Sequence, residues 1–254
     1  MTIIDRPVRL PRPVFLVAWT VAELGEPPIV VGPDQTYRTD EAEATLRRRA
    51  LDALYDRGLA TSAGELARPW RATLDVLANP AREMYSWSNF RDGADDGAIL
   101  VAESGRDAVR LITDHRVVQL DPIPAREAAE HLVDALPTRP PARLAPMSVP
   151  KAHFEDAGRD YESDNPLTEM SHEADELRRL MRAGRDAAHQ LYVATRDDAG
   201  RRTRSTPMSV LDLTDRGRVL TFIGNTHGEA RINVHPGHRA HLIEALHLAS
   251  NALG

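Results

Sequence analysis

The stretch 208–253, MSVLDLTDRGRVLTFIGNTHGEARINVHPGHRAHLIEALHLASNAL, decides the fold because it reads as one complete supersecondary unit. Three runs with strand character, 208–213, 219–223 and 230–234, follow an earlier one at 191–196 and precede a helix. The apolar residues of that helix recur at the helical period and are Leu242, Leu246, Ala249 and Leu253. His235 and Pro236 separate the last strand from the helix, and proline can end a ladder and open a helix because it lacks an N–H.

An earlier part of the chain has the same order of elements. Strand-like runs at 84–90, 98–102, 108–113 and 117–120 lead into Asp121-Pro122 and a helix with Ala125, Ala129, Leu132 and Leu136 on one face. VVQLDP at 117–122 occupies the place of RINVHP at 231–236, and REMYSWS at 82–88 occupies that of HQLYVAT at 189–195. This pattern is typical of two diverged copies of one fold. We therefore predict an N-terminal αβ half at 1–137, a linker at 138–170 and a C-terminal αβ half at 171–254, which form one compact unit around a shared sheet.

Composition excludes several classes of protein. The 254 residues are 42% hydrophobic, which is enough for a substantial core. The absence of cysteine excludes disulfides, cysteine-based zinc sites and a thiol nucleophile, and is compatible with a reducing compartment. No apolar run approaches the roughly 20 residues that cross a bilayer, and the proline-rich N-terminus lacks the pattern of a signal peptide. We expect a cytoplasmic protein.

The charge pattern disfavours nucleic acid as a partner. The formal net charge is −6, and arginines share their helices with acidic residues, so no one-signed basic face is evident. A helix, an RGL turn and a second helix before the strands are similar to a winged helix, which leaves a helix-turn-helix DNA-binding regulator with a sensor half as the alternative function. The second helix offers only Arg68 and Arg71 to DNA, so a core-forming helix pair is favoured.

The remaining segments are predicted from local signals. The apolar run 14–21 fits a strand or a short helix, with a strand favoured. Thr39 is a candidate N-cap for a helix that runs to Arg57, and Gly58 is a candidate left-handed cap. A second helix is expected from Ser62 or Gly64 to Asn79-Pro80, and a third at 173–188.

No pattern of catalytic residues stands out. The sequence contains no nucleophile elbow and no phosphate-binding glycine loop. His238 and His241 are one turn apart, as in a helical metal pair, but surface or capping roles are favoured. Asp212 and Asp215 bracket a turn, where a carboxylate accepts backbone hydrogen bonds or pairs with Arg216 or Arg218. We therefore expect no enzyme activity, no catalytic residues, no metal and no cofactor.

A family resemblance adds to these observations. At 184–222 the chain has Ala183-Gly184 before a strand, a hairpin at 197–201 and a strand-turn-strand with Asp212 and Gly217-Arg218, and in these it resembles the EspG family of ESX (type VII) secretion-associated proteins of actinobacteria. In the first half, the similar segment is carried by Leu54, Arg57, Gly58, Leu59, Gly64, Leu66, Leu74, Leu77 and Pro80. The resemblance extends over nearly the whole chain, from about Pro13, although its motifs are structural and not catalytic.

The resemblance implies both a fold and a function. The fold would be α+β, with two quasi-symmetric halves, a central antiparallel sheet with flanking helices and a C-terminal helical bundle. The function would be that of a cytosolic specificity chaperone that binds the apolar helical tip of the PPE member of a PE/PPE heterodimer and keeps it soluble for secretion. Such a role needs an apolar groove with a polar rim. The predicted partner contacts lie in the late sheet and the C-terminal helix, with core packing as the alternative for each: Phe222, Ile223, Ile232, Val234, Leu242 and Leu246.

Overall fold

A single large antiparallel sheet organises the molecule. The computed structural model describes residues 2–93, 96–156 and 171–253. The strands are β1 Val8–Pro11, β2 Arg82–Phe90, β3 Gly97–Ser104, β4 Asp107–Thr113, β5 Val117–Pro124, β6 Met147–Pro150, β7 Arg185–Arg196, β8 Arg202–Arg204, β9 Met208–Leu213, β10 Gly217–Thr226 and β11 Glu229–Pro236. The helices are α1 Arg12–Val21, α2 Asp40–Tyr55, α3 Arg68–Ala78, α4 Ala128–Val133, α5 Lys151–Asp156, α6 Ser171–Arg182 and α7 Arg239–Asn251, and a short 3-10 turn, Ala125–Glu127, precedes α4. None of the helices in the described ranges has the length and apolar character needed to span a membrane.

The strand order shows the predicted quasi-symmetry. Across the sheet the order is β1-β5-β4-β3-β2-β7-β9-β10-β11-β6, with β8 paired to β7 outside this path. When it is followed from either edge to the centre, the two sets of five strands match element by element, and β2 and β7 meet at the pseudo-two-fold axis. The predicted α+β fold, with two quasi-symmetric halves and a central antiparallel sheet with flanking helices, is confirmed. At the C-terminus, where a helical bundle was predicted, the described residues form one helix, α7, which packs beside α4.

Two elements of regular structure lie inside the segment predicted as a linker. Strand β6 pairs with β11, from Val234 opposite Met147 to Arg231 opposite Pro150, and α5 follows it directly. In the other half β1 and α1 take the same places. We therefore propose that the C-terminal half begins with β6. Residues 157–170 of the predicted linker lie outside the described residues.

Three predicted boundaries are wrong, each for a physical reason. The run 14–21 belongs to helix α1 and not to a strand, because this helix is buried on several sides and so lacks an amphipathic pattern. The second helix begins at Arg68 and not near residue 62, because Gly64 has a left-handed φ of 79° within a turn closed by an Ala60–Leu66 bridge. The helix predicted at 173–188 ends at Arg182, and the following residues pair with β2 in strand β7.

Other local predictions are confirmed. The Thr39 side chain accepts a hydrogen bond from the N–H of Ala42, as an N-cap does. Gly58 has a φ of 72°, the conformation of a left-handed cap. Helix α3 ends at Ala78, directly before Asn79-Pro80.

The helices divide the sheet into two unlike faces. On the back face, α4 and α7 pack side by side over the central strands. Leu242 and Leu246 of α7 share a core cluster there with Met84, Leu191 and Val193 of the strands. On the front face the helices form two separate layers. Helices α1 and α3 pack over the strands of the N-terminal half. Helix α6 packs over the outer strands of the C-terminal half, together with partly buried residues of α5.

Candidate partner-binding site

The middle of the front face is more open than the rest of the sheet. Along β7, the back-face residues 187, 189, 191 and 193 are all buried. On the opposite side of the same strand Gln190 is exposed, while Ala188 and Tyr192 are half-buried. Because successive side chains of a strand point to opposite faces, this alternation shows that the front face is open here. The opening, which we call the central trough, is lined by Trp87, Gln190, Tyr192, Ser209 and Ile223, and Thr221, which is only 9% exposed, lies beneath it.

The strand register places these side chains in two rows. In the first row, Trp87 lies opposite Gln190, Gln190 opposite Ser209, and Ser209 opposite Thr221. Thr221 in turn lies opposite Val234, which belongs to the core of the C-terminal half. The row therefore has a polar middle between apolar ends.

The second row is apolar and aromatic. Tyr85 and Tyr192 lie opposite each other and stack with ring centroids 5.0 Å apart. Farther along the sheet, Ile223 lies opposite Ile232. Ile223 is 47% exposed, which makes it one of the few large apolar side chains on the surface of the described residues. An apolar row beside a polar row suits a protein partner that has both apolar side chains and hydrogen-bonding groups.

The β10–β11 hairpin extends beyond its neighbour at one end of the trough. Pairing of β10 with β9 ends where Phe222 lies opposite Met208. Pairing with β11 continues to Thr226 opposite Glu229. Residues 223–226 thus have a strand on one side only among the described elements. In the other half, β4 pairs along its whole length with both β3 and β5, so this open edge is specific to the C-terminal half.

The predicted contact residues are divided between the two faces of the sheet. Ile223 and Ile232 lie at the front, next to the central trough, and Val234 lies below them with no exposed surface. Phe222 lies on the back face, where it packs with the cluster that contains Leu242 and Leu246. Those two leucines are 1% and 0% exposed and serve as core residues. The six residues therefore do not form one groove, because neighbours such as Phe222 and Ile223 point in opposite directions.

A basic rim borders the trough along β8. The Arg202 guanidinium donates a hydrogen bond to the buried carboxylate of Glu83 and lies 5.6 Å from the Tyr85 ring centroid. Arg204 lies 4.8 Å from the centroid of Tyr192. Both distances are typical of cation–π contacts. The sequence analysis missed these arginines because only the register of β8 on β7 brings them to the two tyrosines.

A buried polar network lies on the back face beneath the trough. Ser88 Oγ and His189 Nδ1 are 2.8 Å apart, and His189 Nε2 lies 3.3 Å from Asp212 Oδ2. Arg218 donates to both carboxylate oxygens of Asp212, at 2.7 and 2.8 Å, and also to the carbonyl of Pro137. The network joins β2, β7, β9 and β10. The predicted pairing of Asp212 with Arg218 is thus confirmed, and His189 lies beside the same carboxylate.

The electrostatics of this network favour a structural role. Burial raises the pKa of the Asp212 carboxyl, but hydrogen bonds from Arg218 and His189 and the charge of Arg218 outweigh it, and the pKa falls to about 2. Asp212 is therefore ionised at neutral pH and its charge is compensated. His189 has no exposed surface, so its ring cannot reach a substrate. A general base needs such reach, which this arrangement does not provide.

The histidines near α7 form a loose cluster. The His238 and His241 rings are 5.3 Å apart, His235 and His241 are 6.1 Å apart, and His235 stacks on Phe222. His238 takes the N-cap position of α7, and His241 Nδ1 lies 3.2 Å from the Pro236 carbonyl. Burial, with the neighbouring His241, lowers the pKa of His235. Within the described ranges, no group of three or more potential metal ligands comes together.

Helix α3 does not have the surface of a DNA-recognition helix. Trp70, Leu74 and Leu77 are buried against the N-terminal core. Of the two arginines available to DNA, Arg71 pairs with Asp75 at 3.2 Å. The helix therefore acts mainly as a packing element.

Comparisons with known proteins agree with the observed geometry. The sequence profile of the EspG family matches residues 12–247, which is most of the chain. No curated protein matches the sequence at a significant level.

A solved structure has the same fold. It is the type VII secretion system chaperone EspG5 of Mycobacterium tuberculosis, determined in complex with the PE25-PPE41 dimer. The two chains align with a TM-score of 0.74 at 14% identity, over 98% of this chain and 97% of the other. At this level of identity the similarity concerns the fold.

Proposed function

Because this chain belongs to the EspG family, we propose that it is a type VII secretion chaperone that binds a PE/PPE heterodimer through the PPE subunit. The family match over residues 12–247 carries the proposal. The shared fold with EspG5, which was solved with a PE/PPE pair, supports it. By this proposal the protein acts in the cytoplasm, where it shields an apolar helical tip and keeps the heterodimer soluble until secretion.

The central trough is the surface best suited to that partner. Its apolar side chains, Tyr192, Ile223 and Trp87, offer contacts to an apolar tip, because burying apolar surface drives most protein association. In the polar row, the exposed Gln190 and the half-buried Ser209 offer hydrogen bonds to backbone groups that a helix leaves unpaired at its ends. We propose that Ile223 and Ile232 contact the partner, and that Val234, Leu242 and Leu246 support the site from the core.

A non-enzymatic role agrees with the chemistry of the described residues. The triad-like set of Ser88, His189 and Asp212 is sealed in the sheet and neutralised by Arg218. We propose that its task is to hold the strands β2, β7, β9 and β10 at a fixed spacing beneath the trough. Binding then needs surface complementarity and no chemical step.

Co-expression with PE/PPE pairs tests the proposal directly. Each pair encoded near the gene for this chain is produced with and without it, and the soluble fraction is analysed by affinity capture and size-exclusion chromatography. We expect at least one pair to elute as a stable complex and to be more soluble when the chaperone is present. Failure of every such pair to bind a correctly folded chain, as judged by its circular dichroism and melting transition, would refute the proposal.

A further inference from the structure

We propose that the partner's tip carries a carboxylate that pairs with Arg204 at the rim of the central trough. This inference rests on the proposed function and makes Arg204 a residue that selects among partners. The occupant is thus a helical tip with an aspartate or glutamate next to its apolar side chains.

The position of Arg204 is fixed by the sheet. In β8 it lies opposite Ala194 of β7, on the same face as Tyr192. Its guanidinium is 4.8 Å from the Tyr192 ring centroid, so the aromatic face holds the cation at the edge of the trough. Arg204 is nevertheless exposed, which leaves its donors available to a ligand.

Two neighbouring arginines already have acidic partners within the chain. Arg201 pairs with Asp197 at 3.1 Å, and Arg202 pairs with Glu83. In the ranges that the structure describes, no carboxylate lies within ion-pair distance of Arg204. Among the described residues, Arg204 is thus an exposed cation of β8 without a carboxylate partner.

The chemistry of a guanidinium favours a carboxylate as the group that completes this site. Its planar donors match a carboxylate in a bidentate arrangement, and an arginine held by an aromatic ring loses less freedom when it pairs. Phosphate-rich ligands are disfavoured, because a polyanion requires a cluster of cations and the chain has a net charge of −6. A single acidic side chain on a protein surface fits the charge that is present.

The test compares two variants that lose the same charge. Arg204→Gln removes the proposed pairing, while Arg201→Gln removes a cation that is 82% exposed and belongs to the β7–β8 turn. The dissociation constant of each variant with the cognate PE/PPE pair is measured by calorimetry from low to high salt. We expect Arg204→Gln to weaken binding roughly tenfold at low salt and to flatten the salt dependence, because an interfacial ion pair is lost. We expect Arg201→Gln to change binding less than about twofold.

A double-mutant cycle identifies the partner residue. Each acidic residue of the PPE tip is changed to its amide, alone and together with Arg204→Gln. One position should show a coupling with Arg204 well beyond additivity. If Arg204→Gln binds like Arg201→Gln at every salt concentration while the wild-type complex forms, the pairing is refuted and the chaperone function stands. A wild-type chain that binds no pair would instead contradict the proposed function, and with it this inference.

Discussion

Replacing Ile223 with aspartate should abolish most partner binding without unfolding the protein. The side chain is 47% exposed in the free chain, so close to half of its surface is available to be buried by a partner. Full burial of an isoleucine contributes about 2 kcal/mol, and the exposed part therefore about 1 kcal/mol. Truncation to alanine should weaken binding by roughly fivefold. Aspartate should cost at least about tenfold more, because a carboxylate would lose water against apolar surface.

Ile29 provides a matched control for this substitution. It is the same residue type at nearly the same exposure, 48%, but it lies between α1 and α2 in the N-terminal half. Ile29→Asp and Ile223→Asp should have similar melting temperatures, since neither position is in the core. Affinity for the PE/PPE pair is measured by calorimetry or biolayer interferometry. If Ile223→Asp binds within about twofold of Ile29→Asp, the trough is not the partner site.

Three further predictions concern stability. Asp212→Asn should lower the unfolding free energy by about 3 kcal/mol at pH 7, because it weakens a buried pair. Since the folded pKa is about 2 against an ordinary 3.8, the wild type should lose stability as the pH falls from about 4 to 2. Asp212→Asn should lose less unfolding free energy over that pH range, as measured by chemical denaturation. Parallel curves of unfolding free energy against pH for the two proteins would contradict the low pKa of Asp212. Gly217→Ala should lower the melting temperature far more than Gly200→Ala. Both glycines have a positive φ, but only at Gly217 would a Cβ lie 2.7 Å from the Pro140 carbonyl oxygen. Equal decreases in melting temperature would refute the role of this contact. Thr39→Ala should lower the free energy of unfolding by about 1 kcal/mol in urea denaturation, because the N-cap hydrogen bond is lost. Thr39→Ser should keep most of this stability. An equal loss in both variants would show that the cap is not the cause.

The sequence was sufficient for the longer strands because their signals are local. Runs such as 208–213 and 217–226 alternate or carry β-branched residues and are separated by turns, and the register follows from the hairpins. The helix α1 was mistaken because its apolar residues do not alternate with polar ones when several sides are buried. The short strand β6 was missed because its four residues, which follow Pro146 and end in Pro150, give no periodic signal.

The candidate site was harder to predict than the fold. Which side of the sheet is open depends on where α4, α7 and the front-face helices pack, and no local pattern encodes this. Phe222 and Ile223 were both identified as apolar and late in the sheet, yet consecutive residues of a strand serve opposite faces. Arg204 was not identified because its partner ring, Tyr192, becomes its neighbour only through pairing of β8 with β7.

The pairing of β2 with β7 limits how this protein can release what it holds. The two strands pair continuously from Arg82 opposite Thr195 to Phe90 opposite Ala187, so the halves share one hydrogen-bonded ladder and not a hinge. Opening the trough by swinging the halves apart would break that ladder, including the buried hydrogen bonds at its centre. Under the proposed function, the partner would therefore leave from an intact sheet, and any preference between partners would come from side chains on a surface of fixed width.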